Sequence, residues 1–277
     1  MVGSSMAELR MGVEVVLNFL KYVDRHDVCP EYADDIKNAQ KVCLRALEET
    51  PAIIALIEMV PGHFNTALRM LHCAADDGSS DCAFRETISD PKLAQISHAA
   101  TLSIVLGPDS IPPNTKWSVL HTDELTFEIL AITLPTDAAR AKYRTINEHL
   151  TEYPDIQPCG TITVRPIILR DGWDNTMTAT IPPEIDAESQ FILEEDILRL
   201  LVVGMKLTVG VCTLNVGFKF IKYVKAIRPS YYVFLPQELM FNYKEPVLSE
   251  RPSRSVHDRE DGEDGVVGGS SVGGGDD

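Results

Sequence analysis

The spacing of apolar residues divides the chain into a helical first third and a strand-rich remainder. From about Met6 to Arg25, Val13, Val16, Leu17, Leu20 and Val23 recur close to helical spacing, with Arg10, Met11, Glu14, Asn18 and Lys21 elsewhere around the turn. This predicts an amphipathic helix. A second, antiparallel helix is expected after Pro30, opened by Glu31 and Tyr32 and carrying Ile36, Ala39, Val42, Cys43 and Ala46 on one face. The joining segment, His26 to Tyr32, reads as a tight turn. Pro30 would start the second helix, where its missing N–H costs nothing, and Cys29 would lie against apolar neighbours. Pro51 is expected to restart the chain into Ile53, Ile54, Leu56, Ile57 and Val60. Pro61-Gly62 then turns it again before Phe64, Ala67, Leu68 and Leu71.

Beyond this bundle, Asp76 to Asp81 reads as a polar loop and a domain edge, and an apolar period resumes from His98 to Leu106. Trp117 to Leu120 and Phe127 to Ile132 look like strands. A helix is expected over Asp137 to Leu150, and another strand over Thr161 to Leu169, with Pro166 marking an edge or bulge. Arg170 to Asn175 is a turn by its Asp, Gly and Asn content. The spacing predicts a helix from about Leu193 to Val203, with Glu194, Glu195 and Asp196 in its first turn and Gly204 at its C′ position. From Met205 to Met240 the chain is densest in β-branched and aromatic residues, and Asn215 and Gly217 permit the turn of a β-hairpin. The fold class is α+β: a helical N-terminal region at 6–75 packed with a mixed, mainly antiparallel sheet region at 98–245, which is continuous with it or a domain of its own. The charged, then Gly-rich stretch 247–277 is too poor in apolar surface to repay its ordering entropy and is expected to be a disordered acidic tail.

Charge sharpens this picture. The formal net charge of the 277 residues is -16, of which Arg251 to Asp277 supply only -4, leaving -12 on the rest. A phosphate-binding surface needs a local excess of Lys and Arg, so the balance disfavours nucleic acid as the main ligand and suits a basic protein partner. The six cysteines show no CxxC pair, which points to a reducing compartment, and no run approaches the ~20 apolar residues of a membrane span. No membrane association is expected.

Candidate chemistry is sparse. GxSxG, GxxxxGK[ST] and GxGxxG are absent, which disfavours an enzyme without excluding a triad assembled only in space. His26 with Cys29, and His72-Cys73 with Cys82, have no zinc-finger spacing, so packing or capping roles are the simpler reading. Asp171, Asp174 and Asn175 lack the rest of a calcium loop and read as a plain turn. Trp173, between Asp171 and Asp174, is either a core residue folded back onto the sheet or an aromatic anchor ringed by acids for a basic partner. Tyr231 and Tyr232 are either a partner-binding pair or the core of a following helix junction. Lys219, Lys222, Lys225 and Arg228 form a basic stripe interleaved with Phe220 and Tyr223. It is a candidate RNA contact, or a solvated face whose lysines deter edge pairing.

Five strings resemble a known family: FLKYVDRHDVCPEY (Phe19 to Tyr32), VPGHFN (Val60 to Asn65), ILRDGWDNTMTATIPP (Ile168 to Pro183), ILEEDILRLLVVGMKL (Ile192 to Leu207) and RPSYYVFLPQELMFNYKEP (Arg228 to Pro246). In consistent order they resemble the fungal Argonaute siRNA-chaperone complex subunit, the Argonaute-binding family of RNA silencing. The resemblance implies a non-enzymatic partner of Argonaute loaded with duplex siRNA. Such a protein acts with a second chaperone subunit, holds back passenger-strand release, and serves heterochromatic gene silencing in nucleus and cytoplasm. It implies no catalytic residue, cofactor or metal. Family members tend to carry a basic, low-complexity N-terminal part, whereas this sequence begins almost directly at a helix, so direct nucleic-acid binding stays open. Two other readings remain beside it: an RNA-binding module using the basic stripe, and a metal-dependent hydrolase built from dispersed residues.

Overall fold

A computed structural model describes residues 6–73, 90–107, 116–151, 153–169, 187–233, 244–245 and 247. The chain opens with α1 (Met6–His26), turns through Asp27, whose φ is 53°, and a 3-10 turn at Pro30–Tyr32, and returns as α2 (Ala33–Met59). Pro51 does not interrupt α2, contrary to the sequence expectation; it lies inside one continuous helix of 27 residues. A proline there forfeits one backbone bond. The helix persists because Ile53 and Leu56, beyond the proline, enter the same core that the sheet builds.

After α3 (His63–His72), α4 (Pro91–Val105) starts well before the apolar period that announced it. Asp90 caps it by accepting from Lys92 N at 2.8 Å, and Pro91 sits in its first turn. The two short strands expected near Trp117 and Phe127 are one long strand, β1 (Val119–Thr133), because bulges let it bend instead of ending. Then come α5 (Asp137–His149), capped by Thr136, β2 (Cys159–Pro166) and β3 (Ser189–Glu194). A short helix, α6 (Glu195–Leu200), leads to the hairpin of β4 (Lys206–Leu214) and β5 (Lys219–Arg228), turned at Gly217. The expected helix over Leu193 to Val203 is corrected at both ends: Leu193 and Glu194 belong to β3, and the helix closes at Leu201 rather than at Gly204.

The sheet order is β3-β2-β1-β4-β5, antiparallel throughout, and β1 pairs with both β2 and β4. The sheet curls until its edge strands β3 and β5 approach each other, running parallel. Lys219 Nζ reaches Ser189 Oγ at 3.4 Å, and a side chain of α3 bridges Ile192 and Ile221. This is the strand order of a five-stranded Greek-key barrel of the OB type, with α6 between β3 and β4. Phe127, Ile129, Ile162, Val164, Phe191, Val209 and Ile221 fill its inside together with Ile197 and Leu198 of α6 and Leu56 of α2. Ile192, Cys212, Leu214 and Phe220 face outward onto Phe64 and Leu68 of α3, Leu102 of α4 and Tyr143 of α5. The α+β class read from the sequence is the fold observed. The domain edge at 76–81 and all of the tail except Val247 lie outside the described residues.

Candidate partner-binding surfaces

Among the described residues, four of the five strings that carry the family resemblance meet one another or α2 at seams that fasten separate elements together. In VPGHFN, Pro61 follows a cis peptide and Gly62 has φ +90° at the N-terminus of α3, a helix with no capping side chain of its own. Glu194, the last residue of β3, supplies the cap from a distance: its carboxylate accepts from Phe64 N at 2.6 Å. A Cβ on Gly62 would stand 1.9 Å from Glu194 Oε2, so only glycine admits this approach. Asn65, 1% exposed, then closes the barrel. Its Nδ2 donates to Pro61 O and to Ile192 O of β3, both at 3.0 Å, and its Oδ1 accepts from Ile221 N of β5 at 3.0 Å. One amide thereby satisfies backbone groups on both sheet edges, which would otherwise be buried without partners.

A second seam joins RPSYY to α2. Glu49, buried within α2, accepts from Ser230 N at 2.7 Å and from the Ser230 hydroxyl, and Arg45 donates to the same hydroxyl. Lys206 Nζ donates to Ser230 O and Gly204 O, both at 3.0 Å. Tyr231 lies under the Arg45 guanidinium at 5.5 Å, and Tyr232 under that of Arg228 at 5.3 Å. Both tyrosines are half-buried, and the neighbouring Val203 and Val233 are 54% and 69% exposed. The seam therefore has a polar, fixed interior and an apolar rim. A third seam ties the HDVCPEY turn and α2 to Lys244: Lys244 N donates to the Tyr32 hydroxyl, and Lys244 Nζ meets Asp35 at 2.6 Å.

The four basic residues of β5 do not share a face. Bulges opposite Thr208/Val209 and Gly210/Val211 leave Lys225 and Lys222 as extra residues, which breaks the alternation of the strand. Lys222 is 7% exposed, whereas Lys219 and Lys225 are exposed and Arg228 is half-buried. Lys225 pairs with Glu124 of β1, and Arg228 donates to Thr208 Oγ1 at 3.2 Å. Trp173, Asp171 and Asp174 lie outside the described residues. Among the described residues, no cluster of three or more His, Cys, Asp or Glu could hold a metal ion, and no helix is long and apolar enough to cross a membrane.

Sequence reasoning missed the working roles of Glu49, Asn65 and Glu194. Glu194 is the most perturbed of the acids: burial pushes its carboxyl up to about 7, against the opposing pull of the α3 backbone amides. Its Oε2 has no hydrogen-bond partner, and a cavity of about 230 Å³ adjoins it, lined in part by His63, Phe64 and Asp155. Glu195, by contrast, is gripped by Arg140 and Arg199, whose hydrogen bonds hold it below the usual carboxylate range. His72 and His98 pack on Trp117, with His98 4.8 Å from its ring centre, and burial lowers both imidazoles, His98 to about 4. At the other end of the barrel a second cavity, about 430 Å³, is lined by residues that include His121, Asp123, Thr213 and Lys219. The His121 and Asp123 side chains stand 3.3 Å apart there.

No curated protein and no solved structure matches the chain. The family model of the Argonaute siRNA chaperone (ARC) complex subunit Arb1 matches residues 1–246, from before α1 to beyond the Lys244 seam, and the chain belongs to that family.

Proposed function

We propose that this protein is a non-enzymatic chaperone subunit that binds Argonaute carrying duplex siRNA and, with a second subunit, holds back release of the passenger strand. Its setting is RNA-interference-dependent silencing and heterochromatin formation, in nucleus and cytoplasm. The observation that carries the reading is the family match over residues 1–246. Its physical support is the disposition of charge. The buried acids Glu49, Glu194 and Glu195 are engaged in capping, seam-fastening and ion pairing within the fold. The net charge of -16 suits steering towards a basic protein partner.

The Argonaute contact we favour is the rim of the Ser230 seam, where Tyr231 and Tyr232 are held in place beside the exposed Val202, Val203 and Val233. Aromatic residues pre-positioned by a buried polar network are suited to act as anchors. Affinity purification from the native cell should recover Argonaute and the second subunit. Recovery of neither sinks the proposal. Tyr231→Ala with Tyr232→Ala should reduce Argonaute recovery at least tenfold, since a single anchor is worth roughly 2 kcal/mol, while the chain still folds at a melting temperature lowered by the loss of two half-buried rings. Passenger-strand retention is tested on its own with Argonaute loaded with an end-labelled duplex. Added protein should slow loss of the label, and an unchanged rate removes that part of the reading.

A further inference from the structure

α1 is apolar on two sides. Val13, Leu17 and Leu20 turn towards α2, but Met11, Val15, Phe19 and Tyr22 project on the far side and are 64%, 63%, 63% and 58% exposed. A helix with apolar residues on opposite faces is expected to be covered on both. Three of the outward residues, Met11, Val15 and Tyr22, fall in a heptad pattern with Glu8, Asn18 and Arg25, in steps of three and four, the spacing of a coiled-coil seam that Phe19 flanks.

From this face we infer that a second copy of the chain packs α1 against α1 in an antiparallel pair. Charge complementarity chooses the occupant and the direction. With the twofold axis between Val15 and Asn18, Met11 meets Tyr22 of the other copy, Val15 meets Asn18, and the end layers place Glu8 beside Arg25. The flanking positions on one side hold Glu14, which also accepts from Arg10 of its own helix at 2.9 Å, and Lys21. In an antiparallel pair Glu14 of one copy faces Lys21 of the other, which adds two symmetry-related charge pairs to that intrahelical one. A parallel pair would set Glu14 against Phe19 and lose them.

A second, independent feature fits the same arrangement. Gly12 lies in mid-helix with nothing within 4 Å of where its Cβ would stand, so the packing within one chain gives no reason for it. An unforced helix-interior glycine costs roughly 1 kcal/mol relative to alanine. On the other flank of the antiparallel seam, Gly12 stands opposite Phe19 of the second copy, where the missing side chain leaves room for the ring. Asn18, a polar residue in the seam, would fix the register at some cost in stability. A single helix pair of this length is a small interface, so the dimer should be concentration-dependent.

Sedimentation equilibrium of the full chain tests the proposal. The wild-type protein should pass from monomer to dimer across the micromolar range. Val15→Glu with Tyr22→Glu should stay monomeric at every concentration, with the thermal melt of the dilute protein unchanged. Glu14→Lys places like charges together and should weaken dimerisation roughly fivefold, the size expected for losing two exposed ion pairs. Adding Lys21→Glu to that variant should restore it. A wild-type chain that remains monomeric at hundreds of micromolar overturns the proposal, and so does a dimer that survives Val15→Glu with Tyr22→Glu. Failure of the double charge reversal to rescue overturns the antiparallel register. A monomer whose α1 face becomes protected only when Argonaute is added would assign that face to another partner and would likewise overturn self-association.

Discussion

α3 and α1 are both amphipathic helices, yet the molecule uses them in opposite ways. α3 has 10 residues and buries Phe64, Asn65, Thr66, Ala67 and Leu68 in succession, all the way round its first turns. α1 has 21 residues and buries Leu17 alone below a tenth of its surface. The difference is one of position. The first turns of α3 are wedged between the two edges of a curled sheet, where Asn65 and Thr66 are consumed by backbone groups. Among the described residues α1 packs on α2, and Met11, Val15, Phe19 and Tyr22 stay more than half exposed. Dense burial marks where the fold is made, and exposed apolar residues mark where something else must come.

The largest effect should come from the tightest point of the α3 wedge. Gly62→Ala drives a Cβ into Glu194 at a backbone φ of +90°. It should cost on the order of 4 kcal/mol in urea denaturation, combining strain with loss of a buried cap. A cost under 1 kcal/mol would mean that the wedge is looser than the geometry requires. Asn65→Ala leaves Ile192 O and Ile221 N buried without their partner and should cost about 3 kcal/mol.

Glu194 gives the wedge a pH signature. Its folded-state pKa, about 7, lies above the ordinary carboxyl value of 4.5, so its contribution to stability is fully present below pH 4.5 and is lost as pH rises through 7. Glu194→Gln keeps an acceptor for Phe64 N and removes the titration. Relative to wild type it should gain roughly 3 kcal/mol between pH 4.5 and pH 8, a difference that isolates Glu194 from other titrating groups. His98 works in the opposite sense, since a pKa lowered from 6.5 to about 4 makes its contribution present above pH 6.5 and lost on acidification. Parallel pH profiles of wild type and Glu194→Gln would refute the assignment.

Within α1 the contrast can be drawn between neighbours. Leu17→Ala should cost about 2 kcal/mol because it opens the contact with α2. Val15→Ala, two positions away on the outward face, should stay within about 0.5 kcal/mol at dilute concentration. Equal costs would show that the outward face is already covered in the monomer. Smallest of all, Lys225→Ala removes an exposed pair with Glu124 and should change stability by about 0.5 kcal/mol or less.

Local pattern alone specified much of this protein. The helical first third, the HDVCPEY turn, the Pro61-Gly62 break, the helix after Thr136 and the final hairpin follow from apolar spacing, prolines and turn residues. Those signals act within a few residues and need no knowledge of the rest of the chain. Pro51, Leu193 and Glu194 were misread for the complementary reason. Whether a proline breaks a helix, or an acidic residue opens one, depends on what packs beyond it, and here Ile53, Leu56 and the β2–β3 pairing outweigh the local preference. The basic residues of β5 are divided by the strand itself: residues three apart alternate faces, and the bulges shift them further, with Lys222 buried and Lys225 on Glu124. The family strings were recognisable as strings, but their physical meaning was not. Glu194 reaching Phe64, Asn65 joining β3 to β5, and Glu49 holding Ser230 link residues far apart in sequence, and such bonds exist only once the curl of the sheet has brought their ends together.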